Sequence, residues 1–263
     1  MPSYWPNGVA IRKDIPGSPQ EQIEAIWQYL LEGRQARAPA GVIREPLEIV
    51  VTNEARMLRR RYPEIGKRGI GVGYPGGVNL GYDALQMRLA MIWRGPFVDP
   101  AAAWYGQGSG NVRPLGPTLL FPKGPELTED ETKALNDSNR PSSHQFQGYS
   151  LDQQRRPTMR YQFESVIVTD TFREFSDDLT GQTQLRRRVT LESPESLDGI
   201  RFRLAFGDRI ESIGDARFRI NNRLNIRVLT DQEAVTTADN MLELPLTLTP
   251  QRSESIVVEY RWD

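Results

Sequence analysis

The chain has 263 residues, of which 38% are hydrophobic and 25% charged, and its 33 basic and 34 acidic side chains give a net charge of −1. This composition is typical of a folded globular protein, and the near-neutral balance argues against nucleic acid as the main partner, because phosphate binding requires an excess of basic residues. The sequence has no cysteine and one histidine, which excludes disulfides, thiolate metal sites and the C-x-x-C-H attachment site of c-type haem.

The first predicted element is an amphipathic helix over residues 18–33. Ser18 is suited to cap its N-terminus, Glu21 follows the cap by three residues, and Gly33 supplies the stop. Apolar residues recur at helical spacing inside it: Ile23, Ile26, Trp27, Leu30 and Leu31. No run of eighteen apolar residues occurs in the sequence, so no segment is predicted to span a membrane.

Beyond a linker at 34–41 the hydrophobic period changes to that of strands. From residue 144 onwards, short alternating segments recur at intervals of roughly 8–12 residues, which is typical of a β-sandwich or barrel. Strands are also predicted over 47–51, 69–73 and 78–82, whereas 54–61 and 86–93 fit either a helix or a strand. The arginines of the later strands are predicted to lie on a solvated sheet face: Arg186, Arg187, Arg188, Arg201 and Arg203.

Residues 94–143 are rich in glycine and proline and have no clear period, so they are predicted to form a long insertion with short strands or a functional surface. Trp93, Trp104 and Tyr105 lie among glycines at its start. Aromatic side chains on such a surface can stack on sugar rings, and these three are therefore the candidate ligand-binding residues. The alternative is that they pack beneath the insertion as part of the core.

One glycine motif, Gly71-Val72-Gly73-Tyr74-Pro75-Gly76, has the G-x-G-x-x-G spacing of dinucleotide-binding loops. That fingerprint requires a helix to begin at the third glycine. Strand-like residues follow here instead, and Pro75 interrupts the motif. The glycines are therefore predicted to serve a hairpin turn that needs positive φ.

Side chains suited to catalysis are scarce. His144 lies in a polar, turn-like stretch, where a surface or supporting role is expected. Two of the acids near turns could act on a glycosidic bond if their carboxyls were suitably spaced, but capping and turn roles are expected for them: Asp83, Asp99, Asp152 and Glu164. No catalytic residue and no metal site is predicted, and the chain by itself is not expected to be an enzyme. A mutarotase-like supersandwich enzyme is a weaker alternative.

The first 34 residues resemble the C-terminal end of a class I cytochrome c domain. The resemblance is carried by Met1-Pro2 and by the helix that contains Trp27 and Tyr29-Leu30. In that family a methionine, often followed by proline, is the sixth haem ligand, and a loop then leads into the last helix. The resemblance implies that Met1 is a haem axial ligand in a longer parent protein, whereas this chain alone is expected to hold no cofactor.

A second resemblance, to large multidomain haem proteins of planctomycete-type bacteria, covers most of the remaining chain. In those proteins a c-type cytochrome domain is joined to β-rich domains. The resemblance implies an exported or periplasmic location, an upstream cytochrome domain as partner, and a link to polysaccharide breakdown, but it supplies no catalytic residues. The segments that carry it are 71–78, 82–83, 88–90, 93–95, 97–99, 148–151 and 156–161.

The sequence therefore predicts a cytochrome c remnant over 1–36 and a mainly β domain over 42–263. This domain is expected to be an antiparallel β-sandwich, of the simple or the supersandwich type, with the insertion around 94–143. The first functional hypothesis is a non-catalytic domain of a cytochrome c-containing electron-transfer protein, which docks a partner or presents a substrate. The alternative is a carbohydrate-binding or carbohydrate-active β-sandwich with a polysaccharide ligand.

Overall fold

A computed structural model of the chain describes residues 17–35, 47–105, 110–129, 143–177, 180–250 and 252–262. The chain divides into two compact units, residues 1–45 and 46–263. The first unit contains helix α1 (Pro19–Gln35), and the second is an antiparallel β protein with one short described helix, α2 (Ala101–Tyr105). Within the described ranges, neither helix is long and apolar enough to cross a membrane.

The described strands all belong to the second unit. In chain order they are β1 (Arg56–Tyr62), β2 (Gly66–Tyr74), β3 (Val78–Asp83), β4 (Arg88–Arg94), β5 (Val98–Asp99), β6 (Arg113–Pro114), β7 (Thr118–Leu120), β8 (Leu127–Thr128), β9 (His144–Leu151), β10 (Pro157–Phe163), β11 (Val166–Ser176), β12 (Thr183–Glu192), β13 (Leu197–Phe206), β14 (Ile210–Ser212), β15 (Arg217–Ile220), β16 (Leu224–Val228), β17 (Val235–Thr236), β18 (Met241–Leu248) and β19 (Glu254–Trp262).

Helix α1 begins with the predicted capping box. The Glu21 backbone N–H donates to Ser18 Oγ at 3.4 Å, and the Ser18 backbone N–H donates to Glu21 Oε2 at 2.6 Å. Two backbone donors that a helix end would leave unpaired are thereby satisfied. Hydrogen bonds from the backbone and side chain of Ser18 lower the pKa of the Glu21 carboxyl. The predicted start of the helix is confirmed, and its end lies two residues later than predicted.

The mainly β, antiparallel fold predicted from the alternating segments is confirmed. Most strands form three sheets: a five-stranded sheet of order β1-β2-β3-β4-β7, an eight-stranded sheet of order β14-β15-β16-β19-β12-β11-β10-β9, and a four-stranded sheet of order β17-β18-β13-β8. The short strands β5 and β6 form a two-stranded ribbon. One buried apolar cluster draws on all three large sheets, for example through Val72, Val168 and Phe202. The arrangement is a β-sandwich whose layers share one core.

Strands β3 and β4 and most of β2 in the five-stranded sheet are buried on both faces. A second, smaller cluster that includes Tyr62, Trp93 and Phe97 covers the face opposite the main core. The glycines of β2 make room for it, since a Cβ on Gly71 would lie 2.1 Å from the Tyr62 hydroxyl oxygen and one on Gly73 would lie 2.8 Å from the Phe97 ring. The β2 glycines therefore admit two aromatic rings against the backbone. This packing role adds to the predicted turn role, which Gly76 and Gly77 fill with φ values of 87° and 74°.

Three sequence expectations are changed or completed by the structure. Residues 47–51 are not a strand, because they form no ladder, although the Ile49 N–H donates to the Val98 carbonyl at 3.1 Å. The two ambiguous segments, 54–61 and 86–93, become strands β1 and β4. The described part of the 94–143 insertion contains α2 and the short strands β5 to β8.

Candidate functional site

A cleft of about 400 Å³ opens between the five-stranded and four-stranded sheets. One wall comes from β4 and the segment that follows β7, and the other comes from the end of β13 and the start of β18. The described lining is apolar with four charged residues. It consists of Glu64, Arg88, Ala90, Leu120, Phe121, Pro122, Lys123, Arg203, Phe206 and Met241.

Arg88 builds the floor of the cleft. Its guanidinium donates to the Pro122 carbonyl at 3.0 Å and to the Glu64 carbonyl at 3.2 Å, and its Nε donates to Gln86 Oε1 at 2.8 Å. A carboxylate oxygen of Asp83 lies 3.5 Å from Nε. One buried guanidinium thus ties the β1–β2 turn to the segment after β7. Its donors are directed into the protein, which makes Arg88 a structural part of the site.

The rim of the cleft combines cationic groups with exposed apolar side chains. Phe206 is 46% exposed and Leu120 is 43% exposed, on opposite walls. Between them Arg203 is half-buried, and its Nη1 donates to the Lys123 carbonyl at 3.0 Å. Burial lowers the pKa of the Arg203 guanidinium, against the opposing effect of Glu243 and Glu126. An anionic group in the cleft would therefore stabilise the charged form of Arg203.

Behind the cleft lies a buried ionic centre that the sequence analysis missed. Arg187 is fully buried and pairs with two carboxylates: its Nε donates to Asp170 Oδ1 at 2.9 Å, and its Nη1 donates to Glu126 Oε1 at 2.8 Å. The rings of Phe172 and Phe202 lie 5.1 and 5.2 Å from its guanidinium carbon. The expectation that Arg187 lies on a solvated face is wrong, because its neighbours Arg186 and Arg188 take the outward positions of β12.

This ionic centre has a structural role. Burial raises the pKa values of the Glu126 and Asp170 carboxyls, while Arg187 opposes the increase for both. Glu126 Oε1 also accepts the backbone N–H of Leu89 at 3.0 Å. Because both carboxylates are committed to a buried partner, neither is placed to exchange protons with a ligand in the cleft.

His144 occupies a different environment from the predicted polar turn. It is 2% exposed at the first position of β9. Its Nε2 lies 2.9 Å from the Leu127 carbonyl oxygen, to which it donates, and its Nδ1 lies 2.9 Å from Ser143 Oγ. Both ring nitrogens are thus engaged, and burial lowers the pKa of His144 to about 4. The side chain acts as a neutral link between β9 and β8.

Two of the four acids near turns, Asp83 and Asp152, have the capping and turn roles expected of them. Asp83 Oδ1 accepts the backbone N–H groups of Leu85 and Gln86 at 2.9 and 3.2 Å. Asp152 Oδ1 accepts the backbone N–H of Arg156 at 2.8 Å. These carboxylates shape loops. Among the described residues, no group of three or more His, Asp or Glu side chains is placed to hold a metal ion.

The predicted aromatic residues do not form one site. Trp93 is fully buried, and its ring stacks on Phe97 with 6.0 Å between centroids while Nε1 donates to the Phe97 carbonyl at 2.9 Å. It belongs to the core and is not accessible to a ligand, as the alternative interpretation held. Trp104 is 52% exposed on α2, outside the described lining of the cleft. Tyr105 ends α2, and its side chain and Met1 lie outside what the structure describes.

The cleft residues that sequence reasoning missed are spread over 178 positions, from Glu64 to Met241. Their local signals are weak. Strand alternation predicts that Phe206 shares the buried face of Phe202 and Leu204, but a register shift between Arg203 and Ala205 leaves it exposed. Residues 121–125 are a short segment with two prolines and no strand pattern. These residues form one site because the five-stranded and four-stranded sheets lie close together there. Strand pairing between β13 and β18 places Phe206 opposite Met241 and so closes one wall.

Comparison with known proteins yields one structural similarity. No protein-family model matches the chain, and no curated protein matches it. A solved structure, "Putative kojibiose phosphorylase from human microbiome", is similar with a TM-score of 0.36 and 12% sequence identity, over 80% of this chain and 29% of that chain. The chain thus spans less than a third of that neighbour's length.

Proposed function

We propose that the second unit of this chain is a carbohydrate-binding β-sandwich whose site is the cleft, and that its ligand is a polysaccharide with carboxylate groups. The observation that carries the proposal is the arrangement of Phe206 and Leu120 on opposite walls around the half-buried Arg203. Ligand sites characteristically combine an apolar lining with a few convergent polar groups.

The chemistry of the lining favours an acidic sugar over a neutral one. The apolar C–H face of a sugar ring packs on an aromatic ring such as that of Phe206. A carboxylate on the sugar would accept hydrogen bonds from Arg203 and Lys123, and charge-assisted hydrogen bonds of this kind are stronger than neutral ones. The described lining contains three basic residues and one acid, Glu64. Because Arg88 is held by Asp83 and by backbone carbonyls, Arg203 and Lys123 are the two cations that count at the rim. This balance favours an anionic ligand.

We propose binding without hydrolysis. Glycosidases generally place two carboxyl groups on either side of the scissile bond, and Glu64 is the single acid of the described lining. The buried carboxylates of Glu126 and Asp170 are held by Arg187. The residues of the cleft are therefore suited to bind a sugar and not to hydrolyse it.

The test uses polygalacturonate as the acidic probe and its fully methyl-esterified form as the neutral control. Phe206→Ala should weaken binding to polygalacturonate about fivefold, since one aromatic stacking contact contributes about 1 kcal/mol. Arg203→Gln should weaken polygalacturonate binding and leave binding to the methyl ester unchanged. Isothermal titration calorimetry measures each affinity, and thermal unfolding checks that each variant is folded.

Trp104→Ala is the matched control, because it removes an aromatic side chain of similar exposure outside the cleft. If Trp104→Ala abolished binding while Phe206→Ala had no effect, the ligand would bind at α2 and the cleft assignment would be wrong. Failure of both polysaccharides to bind would reject the carbohydrate proposal.

The haem-associated hypothesis stays a prediction, since Met1 lies outside the described residues. Its test is a protein extended before Met1 by any C-x-x-C-H region that the gene encodes there. We expect a haem spectrum with methionine ligation that changes in a Met1→Ala variant. An identical spectrum in that variant would show that Met1 is not the ligand.

A further inference from the structure

The outer face of the eight-stranded sheet carries an excess of arginine at its β15–β16–β19 end. Strand register places Arg217 of β15 directly opposite Arg227 of β16, and Arg227 in turn opposite Glu259 of β19. Like charges directly opposite each other on neighbouring strands destabilise a sheet. The two arginines therefore repel each other, although Glu259 lies in register with one of them.

A pocket of about 220 Å³ lies over this pair. Four of its described lining residues are arginines, and no acid is among them. The pocket is smaller than the roughly 300–1,000 Å³ of sites for drug-sized molecules, so it suits a single small group. Its lining consists of Ile213, Arg217, Arg219, Asn225, Ile226, Arg227 and Arg261.

The nearby carboxylates are already paired with other cations. Glu259 Oε1 lies 2.5 Å from Arg186 Nη2, and its Oε2 lies 3.2 Å from Arg261 Nη2. Asp177 Oδ2 lies 2.9 Å from Arg261 Nη1. Glu211, on the adjacent edge strand β14, pairs with Arg209. The acids around the pocket thus neutralise arginines at its margin.

Arg217 and Arg227 have no carboxylate within ion-pair distance among the residues that the structure describes. Their Nε atoms, like that of Arg261, are also buried without a hydrogen-bond partner within those residues. Arg219 Nε donates weakly to Asn225 Oδ1 at 3.4 Å. A buried donor that is left unpaired costs free energy, so Arg217 and Arg227 line the pocket without a compensating anion among the described residues.

We propose that this pocket binds a tetrahedral oxyanion, as a phosphate or sulfate group. Such a group presents three or four acceptor oxygens in different directions, which matches guanidinium groups that approach from three strands. A carboxylate is planar and satisfies one arginine fork. The site is independent of the cleft and of the function proposed for it.

Calorimetric titration with inorganic phosphate and with sulfate, at constant ionic strength set by sodium chloride, tests the proposal. We expect saturable binding with a dissociation constant on the order of 1 mM or tighter. The Arg227→Gln variant should bind about ten- to a hundredfold more weakly, because it removes a charge-assisted hydrogen bond. In ¹H–¹⁵N spectra the Nε–H signals of Arg217 and Arg227 should shift in the wild-type protein as the anion is added.

Arg60→Gln is the matched control. Arg60 is exposed and lines a separate basic cleft with Arg59, Lys67 and Arg68, so the variant removes one charge from the molecule and leaves the pocket intact. The proposal predicts unchanged oxyanion binding in this variant. Equal weakening in Arg60→Gln and Arg227→Gln would show only a general charge effect and would overturn the site. Binding that does not saturate would also overturn the site.

The source of the oxyanion is distinguished by two further probes, glucose 6-phosphate and glucose 6-sulfate. Preference for one identifies a phosphorylated or a sulfated ligand, and both outcomes require the pocket to accept an ester. If neither ester bound while inorganic phosphate or sulfate did, the ligand would be the free anion.

The double variant Arg217→Gln/Arg227→Gln should unfold at or above the wild-type temperature without anion, because the repulsion between the two arginines is removed. A folded double variant that retained full affinity would overturn the proposal.

Discussion

His144 lies at the start of β9 with both ring nitrogens hydrogen-bonded, although its sequence neighbours are polar and turn-like. The ring also packs against Phe163 with 4.7 Å between centroids. The sequence could not indicate this burial, because it depends on Leu127, which is 17 positions away. At the residue scale, the role of a polar side chain is set by its partners in space.

We predict that His144 titrates with a pKa of about 4 in the folded protein. In the unfolded chain the ordinary value is 6.5, so between these pH values the unfolded state binds more protons. The stabilising contribution of the neutral ring is therefore complete above pH 6.5 and is lost as the pH falls towards 4. The loss is on the order of 3 kcal/mol. Since the chain has one histidine, its imidazole proton signals can be followed by NMR without ambiguity.

The control for this titration is His144→Gln, measured by urea unfolding at pH 7 and pH 4.5. The variant should lose less stability than wild type over that interval, because the carboxylates that also titrate are common to both proteins. A His144 pKa near 6.5 would contradict the buried, neutral assignment.

At the scale of one element, strand β12 shows that alternation indicates which side chains lie on the same face but does not name the partners of a buried one. The run Arg186-Arg187-Arg188 must send its middle residue to the opposite face from its neighbours. The prediction that all three lie in solvent conflicts with the period of a strand. The neighbouring apolar positions Leu185 and Val189 share a face with Arg187 and lie in the core. That alternation was the available signal for an arginine in the interior.

We predict that Arg187→Met lowers the free energy of unfolding by about 3–5 kcal/mol, because it leaves the buried carboxylates of Glu126 and Asp170 without their cation. Arg186→Met is the matched control on the same strand. Its side chain is 46% exposed, and its buried partner Glu259 keeps a second cation, Arg261, so the loss of Arg186 should cost at most about 1 kcal/mol. Urea unfolding measures both variants.

The triple variant Arg187→Met/Glu126→Gln/Asp170→Asn separates charge from packing. It should recover part of the stability lost in Arg187→Met, because no carboxylate then remains unpaired in the core. Equal stability of the Arg187→Met and Arg186→Met proteins would show that the buried centre contributes no more than a surface pair.

At the scale of the second unit, Arg94 connects two sheets. It ends β4 of the five-stranded sheet, and its Nη1 donates to the Thr183 carbonyl at 2.9 Å on β12 of the eight-stranded sheet. Its Nη2 donates to the Trp262 carbonyl on β19 at 2.9 Å, and its guanidinium carbon lies 5.1 Å from the Trp262 ring centroid. The contact partners lie 89 and 168 positions away in the sequence. This side chain couples layers that strand pairing alone does not join.

We predict that Arg94→Met lowers the free energy of unfolding by about 2–4 kcal/mol, since a hydrogen bond to a charged group contributes about 1.5–3 kcal/mol and the contributions of bonds to one guanidinium do not add in full. Urea unfolding followed by tryptophan fluorescence reports the change, because Trp262 lies beside the mutated residue. Arg113→Met is the control: its side chain is 64% exposed and pairs with Asp99. A loss for Arg94→Met no larger than that for Arg113→Met would mean that the two sheets are held together by apolar packing alone.

Local patterns in the sequence were sufficient to predict much of the fold. The capping residues of α1, the glycine turn between β2 and β3 and the alternating strands after residue 144 all depend on neighbours a few positions apart, so one sequence can reveal them. The segment 47–51 was misassigned because its apolar residues pack without a ladder, and packing of that kind depends on Val98 and other distant groups.

The sequence alone therefore determined the class of fold, the helix start and the absence of thiol chemistry. Only the tertiary structure decided that Trp93 is interior, that Glu126 and Asp170 pair with Arg187, that residues from Glu64 to Met241 enclose one cleft, and that Arg217 faces Arg227. The physical reason is that the two-residue period of a strand shows only which side chains lie on the same face. Which face another sheet covers, and which distant charge it brings, is set by contacts between segments far apart in the chain.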